Sequence, residues 1–199
     1  MSQITPHRLS NSRGFTLIET MVALGIFVIV TTIVFVGNGR FNNTLLLTNL
    51  AYDLALTVSR AQSYGINVRP FDDATKPFEV GYGVHFKLGT TVDPKESDKV
   101  SFVLFADINN SKNYTTDEFL ERYLIRHGNK ISKLWFTSDG NSINELNITF
   151  LRPNPDAIFN CVGCSGASKV GIEVSSADGV TTKVITIEST GQISVQSKI

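Results

Sequence analysis

A run of 20 residues without a charged side chain, residues 20–39, constrains this chain more than any other feature. At about 1.5 Å per residue, a helix of this length reaches about 30 Å, the thickness of the hydrocarbon core of a bilayer. A secretory signal peptide would be followed by a cleavage site of small residues, and none follows this run. We therefore expect the run to be retained as a membrane-spanning helix.

Glu19 stands at the start of this run and is the first acid of the chain, whereas Arg8 and Arg13 precede it without any acid. Basic residues beside a span favour the cytoplasmic side of the membrane. A carboxylate within a bilayer costs about 2.5 to 3.5 kcal/mol even on lenient insertion scales. The sequence therefore predicts that a positive charge pairs with Glu19.

The stretch Arg-Gly-Phe-Thr-Leu-Ile-Glu at residues 13–19, with its short basic leader and the uncharged run behind it, resembles the N-terminus of type IV prepilins and pseudopilins. The resemblance implies that a prepilin peptidase removes residues 1–14 after Gly14 and methylates the new amine of Phe15. That ammonium could then neutralise Glu19 of the same or a neighbouring subunit, because an opposite charge nearby favours the ionised acid.

The same resemblance implies partners and a location. The partners are membrane lipid before assembly, the peptidase and methyltransferase, an inner-membrane assembly platform, and other pilin or pseudopilin subunits. The chain is expected to cross the cytoplasmic membrane once with its C-terminal part outside, and then to enter an extracellular or periplasmic filament.

Behind the run, apolar residues recur at helical spacing and predict one buried stripe: Leu47, Leu50, Ala51, Leu54, Val58 and Ala61. No proline occurs between residues 15 and 69, so we expect one helix of about 50 residues, with 15–39 in the membrane or filament core and 40–69 amphipathic. Gly65 is a predicted C-cap and Pro70 a predicted stop. The stripe is also similar to that of minor pseudopilins and minor pilins.

Residues 70–199 are predicted to form a β-rich globular domain, because short runs of branched and aromatic residues alternate there with turns. The expected strands are 78–86, 100–105, 120–126, 131–136, 143–151, 170–175, 182–188 and 192–195. Asp178 and Gly179 predict a hairpin turn between two of them. The predicted fold is α+β, with the long N-terminal helix packed on an antiparallel sheet as in pilins.

One loop, residues 107–118, carries oxygen side chains at the spacing of a calcium loop of EF-hand type. The candidate ligands are Asp107, Asn109, Ser111, the main-chain carbonyl of Asn113, Thr115 and Glu118. Lys112 occupies the sixth position, where such loops have glycine for the sharp turn. The loop is therefore either a calcium site or a solvated turn between two strands.

Cys161 and Cys164 are the two cysteines of the chain. One C-x-x-C pair lacks the second pair of ligands that a zinc site needs. Since the domain is expected outside the cytoplasm, a disulfide is the leading interpretation. Free thiols, zinc and redox chemistry stay open as alternatives.

Five basic residues are predicted to lie on one hairpin, namely Arg122, Arg126, His127, Lys130 and Lys133. Minor pilins of competence systems bind DNA through such surfaces, whereas the simpler interpretation is a charged, solvated hairpin face. The formal net charge of the chain, +0, gives no global support for nucleic-acid binding.

The sequence predicts a structural protein rather than an enzyme, because it has no G-x-S-x-G, H-E-x-x-H or phosphate-loop motif. The predicted function is a structural subunit of a type IV pilus or of a type II secretion pseudopilus. The alternative is a minor or tip subunit that recognises DNA, a surface or a secreted substrate.

Overall fold

The computed structural model describes residues 14–67, 80–137 and 141–198. The chain forms two compact units, Met1–Phe41 and Asn42–Ile199. One helix, α1, runs over Leu17–Ile66 and has 50 residues, which confirms the predicted long helix. Pro70, the predicted stop, lies outside the described residues.

The N-terminal unit contains the apolar part of α1. Leu17–Phe35 has a mean hydropathy of 2.4, and none of its hydrophobic window is buried within the chain. The hydroxyls of Thr20, Thr31 and Thr32 donate to main-chain carbonyls one turn earlier in the same helix. This part of the helix therefore satisfies its own polar groups, as a segment in lipid must.

The globular unit buries one stripe of α1, as predicted. Leu47, Ala51, Leu54, Val58 and Ala61 are fully buried, and Leu50 packs against the same core. Gly65 is not a C-cap, because it lies inside the helix. A Cβ at Gly65 would meet the carbonyl oxygen of Phe150 at 2.5 Å, so glycine is required for close packing of the helix on a strand.

The described residues of this unit also form two five-stranded antiparallel sheets, with strand orders β3-β2-β1-β6-β7 and β10-β9-β8-β4-β5. The strands are β1 Gly81–Lys87, β2 Ser101–Asp107, β3 Phe119–Leu124, β4 Lys130–Phe136, β5 Asn141–Ile143, β6 Glu145–Phe150, β7 Ala157–Asn160, β8 Lys169–Ser175, β9 Thr182–Glu188 and β10 Ile193–Ser197. The α+β class and the antiparallel pairing are confirmed. The single predicted sheet is two sheets, and the strand expected at 143–151 begins instead with the end of β5 and continues as β6.

The helix and the two sheets share one core. Phe86, Phe102 and Phe150 from the first sheet join Ile131 and Ile172 from the second, together with the helix stripe. Because the helix stripe and residues of both sheets belong to the same apolar cluster, the helix holds the two sheets together through side-chain packing.

The other face of the first sheet is covered by the loop between β2 and β3. The ring of Tyr114 lies 4.9 Å from the ring of His85 and 5.4 Å from that of Phe105, measured between centroids. The candidate calcium loop is therefore packed against the sheet at its Tyr114 end.

Candidate functional site

The expected cleavage site precedes the first turn of α1. Gly14, Phe15 and Thr16 are outside the helix. Phe15 is 82% exposed, and no atom of the described residues lies within 4 Å of a Cβ built on Gly14. The Gly14–Phe15 peptide bond is therefore accessible, as a protease substrate must be.

Thr16 fixes where the helix begins. Its Oγ1 accepts a hydrogen bond from the main-chain N–H of Glu19 at 3.3 Å, with Leu17 as the first helical residue. This is the Thr-x-x-Glu spacing of a helix N-terminal capping box. Sequence reasoning overlooked Thr16, although the spacing itself was a readable signal.

Glu19 occupies the first turn of α1. The N-terminus of a helix carries partial positive charge, which favours a nearby carboxylate by about 0.3 to 1 kcal/mol. The helix thus supplies part of the stabilisation that the sequence assigned to the Phe15 ammonium alone. That contribution is smaller than the cost of placing a carboxylate in lipid, and the charge pair with the Phe15 ammonium stays a prediction.

The second candidate site, the loop 107–118, is bounded by two buried acids. Asp107 ends β2 and is fully buried, and Glu118 ends a 3-10 turn, Thr116–Glu118, with 2% of its surface exposed. Burial raises the pKa of Asp107, although main-chain N–H groups of residues 110–112 oppose this shift. The two acids lie at the two ends of this loop, and calcium binding by the loop stays a prediction.

Glu118 holds the two ends of the loop together. Its Oε1 accepts the N–H of Ile108 at 3.0 Å, and its Oε2 accepts the N–H of Thr115 at 3.0 Å. Further along, Asn109 Oδ1 accepts the N–H of Ser111 at 2.8 Å, and the Ser111 hydroxyl donates to the Asn113 carbonyl. Most of the predicted ligand oxygens therefore already accept hydrogen bonds within the loop.

Asn147 on β6 attaches this loop to the sheet. Its Nδ2 donates to Asn113 Oδ1 at 2.8 Å, and its Oδ1 accepts the N–H of Tyr114 at 3.3 Å. The same Oδ1 lies 2.8 Å from Nδ1 of the buried His85, whose pKa is lowered by burial. Sequence reasoning did not single out His85 or Asn147, because nothing local shows that two distant strands pair there.

Cys161 and Cys164 lie in the connection from β7 to β8. Their sulfur atoms are bonded at 2.16 Å, and their Cα atoms are 5.4 Å apart. Within the described residues, no group of three or more His, Cys, Asp or Glu side chains is arranged to hold a metal ion. Oxidation of the pair outside the cytoplasm stays a prediction.

The prediction that the basic residues lie on one hairpin is wrong, because β3 and β4 belong to different sheets. Strand β3 pairs with β2, whereas β4 pairs with β8 and β5. Arg122 also forms a partly buried ion pair with Asp98, with the charged atoms 3.4 Å apart. The basic residues therefore do not form the hairpin face that the DNA hypothesis assumed.

A family model matches the N-terminal part of the chain. Residues 9–35 match the family described as "Prokaryotic N-terminal methylation motif". The match confirms the predicted resemblance to type IV pilins and pseudopilins, which are structural proteins processed by prepilin peptidase. Comparisons with curated proteins and with solved structures gave no match.

Proposed function

We propose that this chain, whose N-terminus carries the methylation motif of type IV pilins and pseudopilins, is a structural subunit of a pilus or of a secretion pseudopilus. The observation that carries the proposal is the order of features at residues 14–35. An accessible Gly14–Phe15 bond precedes a capped helix start, an acid in the first helical turn, and then an uncharged apolar helix.

Each feature has a physical task in assembly. The basic leader holds the precursor with its N-terminus in the cytoplasm, and the apolar helix anchors it in the membrane. Hydrolysis of the Gly14–Phe15 bond creates an ammonium on Phe15, and Glu19 becomes the fifth residue of the processed chain. That pair lowers the cost of moving the carboxylate into the apolar filament core.

The apolar surface of Leu17–Phe35 provides the contacts between subunits. None of the apolar window of Leu17–Phe35 is buried within the described part of this chain. Lipid covers this window before assembly, and the helices of other subunits cover it afterwards. An inner-membrane platform supplies the extraction from lipid.

The processing step is tested by replacing Gly14. Gly14→Val should leave an uncleaved precursor in the membrane of cells that have a prepilin peptidase, because the side chain would obstruct the peptidase's access to the bond. Gly25→Val is the matched control, since no atom lies within 4 Å of either glycine's added Cβ. Mass spectrometry should find methylated Phe15 at the N-terminus of the control, and normal processing of Gly14→Val would refute the cleavage site.

The charge pair is tested by replacing Glu19. Glu19→Gln removes the charge while keeping the shape, so the chain should still be cleaved but should enter sheared filaments at least tenfold less than the wild type. Asp53→Asn removes the same charge from the next acid of the chain, which is exposed. Equal loss of incorporation in both variants would contradict a specific role for Glu19.

A further inference from the structure

The loop 107–118 makes its sharp turn without glycine. Lys112, at the sixth position, has a φ of 58°, in the left-handed region that glycine normally occupies there. Its main-chain N–H donates to Asp107 Oδ2 at 3.0 Å. The lysine at the place of the glycine therefore does not prevent the turn.

One carboxylate oxygen of Asp107 accepts no hydrogen bond. Its Oδ1 is buried and has no hydrogen-bond partner, and the whole residue is fully buried. The main-chain N–H groups of residues 110–112 are close enough to lower its pKa, so the carboxylate faces the turn of the loop. A buried carboxylate oxygen without a partner is costly, and a cation in the loop would remove that cost.

We propose that the loop binds a calcium ion, with Asp107 Oδ1 as its charged anchor. Asn109 Oδ1, Ser111 Oγ and the Asn113 carbonyl contribute neutral oxygens of the kind calcium accepts. Each of these oxygens already makes a hydrogen bond but retains a second acceptor position.

Glu118 is a positioning residue in this site. Three main-chain N–H groups, those of Ile108, Asn109 and Thr115, donate to its carboxylate. These bonds hold the second and third positions of the loop close to the ninth, so that the loop is formed before a cation arrives. Glu118 also contributes negative charge close to the ion.

The charge balance predicts weak affinity. Two carboxylates with neutral oxygens, and the like charge of Lys112 nearby, place the site in the range of about 10⁻⁴ to 10⁻³ M that is typical of extracellular calcium modules. Magnesium keeps its water shell and demands a regular octahedron, so it should bind more weakly still. The site would fill outside the cytoplasm, where calcium reaches such concentrations.

The test uses the full chain in detergent micelles after removal of metal with a chelator. Calcium should raise the Tm of the globular unit by roughly 3 to 6 °C at about tenfold excess over the Kd, and magnesium should not. Terbium, which replaces calcium on oxygen ligands, should become luminescent when Tyr114 in the loop is excited. No change in Tm and no terbium signal up to about 10 mM metal would overturn the proposal.

Matched variants locate the ion. Asp107→Asn should weaken calcium binding at least tenfold, whereas Asp117→Asn, which removes the same charge from the exposed neighbour of Glu118, should change it less than about twofold. Lys112→Gly should tighten binding several-fold, because it removes a like charge and eases the φ of 58°. A calcium response that Asp107→Asn leaves intact would overturn the assignment to this loop.

If Asp107→Asn does not fold, the Lys112→Gly variant tests the site instead. An unchanged calcium affinity of Lys112→Gly would contradict the assignment of the ion to this loop. Processing and filament incorporation do not enter this test. A failure of the calcium site therefore leaves the proposed assembly function standing, and the reverse also holds.

Discussion

The two halves of α1 have the same helical backbone, but the chain buries apolar side chains of only the second half. In Leu17–Phe35 the apolar surface surrounds the helix and is not buried within the chain. In the second half, one stripe of apolar side chains is fully buried by the globular unit, namely Leu47, Ala51, Leu54, Val58 and Ala61. The first pattern requires an apolar environment outside the chain, and the second is satisfied by the chain itself.

This difference separates two kinds of consequence. A change in the buried stripe should alter the free energy of unfolding of the globular unit. A change in the exposed half should alter membrane anchoring or assembly while leaving that free energy unchanged. The three predictions below test this separation, and all use urea unfolding of the full chain in micelles, followed by the fluorescence of the single tryptophan, Trp135.

The largest effect is expected from truncating a leucine. Leu54→Ala should lower the free energy of unfolding by about 2 to 5 kcal/mol, because Leu54 is fully buried and its removal leaves a cavity. Leu24→Ala is the control, since Leu24 is 63% exposed in the other half of the same helix, and it should change the value by less than about 0.5 kcal/mol. Similar losses in both variants would show that the two halves are not energetically separate.

A smaller effect is expected from adding one methyl group. Gly65→Ala places a Cβ 2.5 Å from the carbonyl oxygen of Phe150, and this collision should cost about 1 to 3 kcal/mol. Alanine's better helix propensity returns up to about 1 kcal/mol, so a net loss of about 1 to 2 kcal/mol is expected. Gly25→Ala, where no atom lies within 4 Å, should leave unfolding unchanged; stabilisation by Gly65→Ala would refute the close approach.

The smallest effect is a pH dependence confined to the globular unit. Burial lowers the pKa of His85, while its bond to Asn147 and the nearby acids Glu145 and Glu96 oppose this, and Lys87 adds to it. The unfolded chain therefore binds the proton first as the pH falls below the ordinary value of 6.5. The resulting stability is complete above that pH and is lost as the pH falls towards the lowered pKa.

The measurement compares urea midpoints at about pH 7.5 and about pH 5.5. His85→Gln should reduce the loss of stability between these two pH values. His127→Gln replaces an exposed histidine of the same unit and should leave the loss as it is in the wild type. If both variants respond to pH as the wild type does, His85 does not contribute to the acid sensitivity.

Local patterns in the sequence predicted much of the fold. The uncharged run and the stripe of α1 are both periodic signals that one segment contains by itself, and the structure confirms the helix. The strands were located within a few residues because their branched and aromatic side chains alternate. Strand β7, Ala157–Asn160, was missed because four residues are too few to show a period.

Long-range pairing was not predictable in the same way. The assignment of β3 and β4 to different sheets depends on which distant strand each one meets, and neither segment contains that information. Gly65 was misread as a helix end because only the approach of Phe150 shows why a side chain is not tolerated there. In the loop 107–118, the spacing of the residues identified the candidate ligand oxygens, but only the folded loop shows that Asp107 Oδ1 lacks a hydrogen-bond partner.

By itself, the sequence determined that this chain carries a motif for cleavage and methylation, an apolar helix that needs an environment outside the chain, and a β-rich part. These follow from residues close together along the chain, whose chemistry and spacing are fixed before folding. The tertiary structure alone decided the division into two sheets, the contact of Asn147 with the loop, and the burial of His85 and Asp107. Those properties depend on desolvation and on hydrogen bonds between distant segments, which exist only once the core has formed.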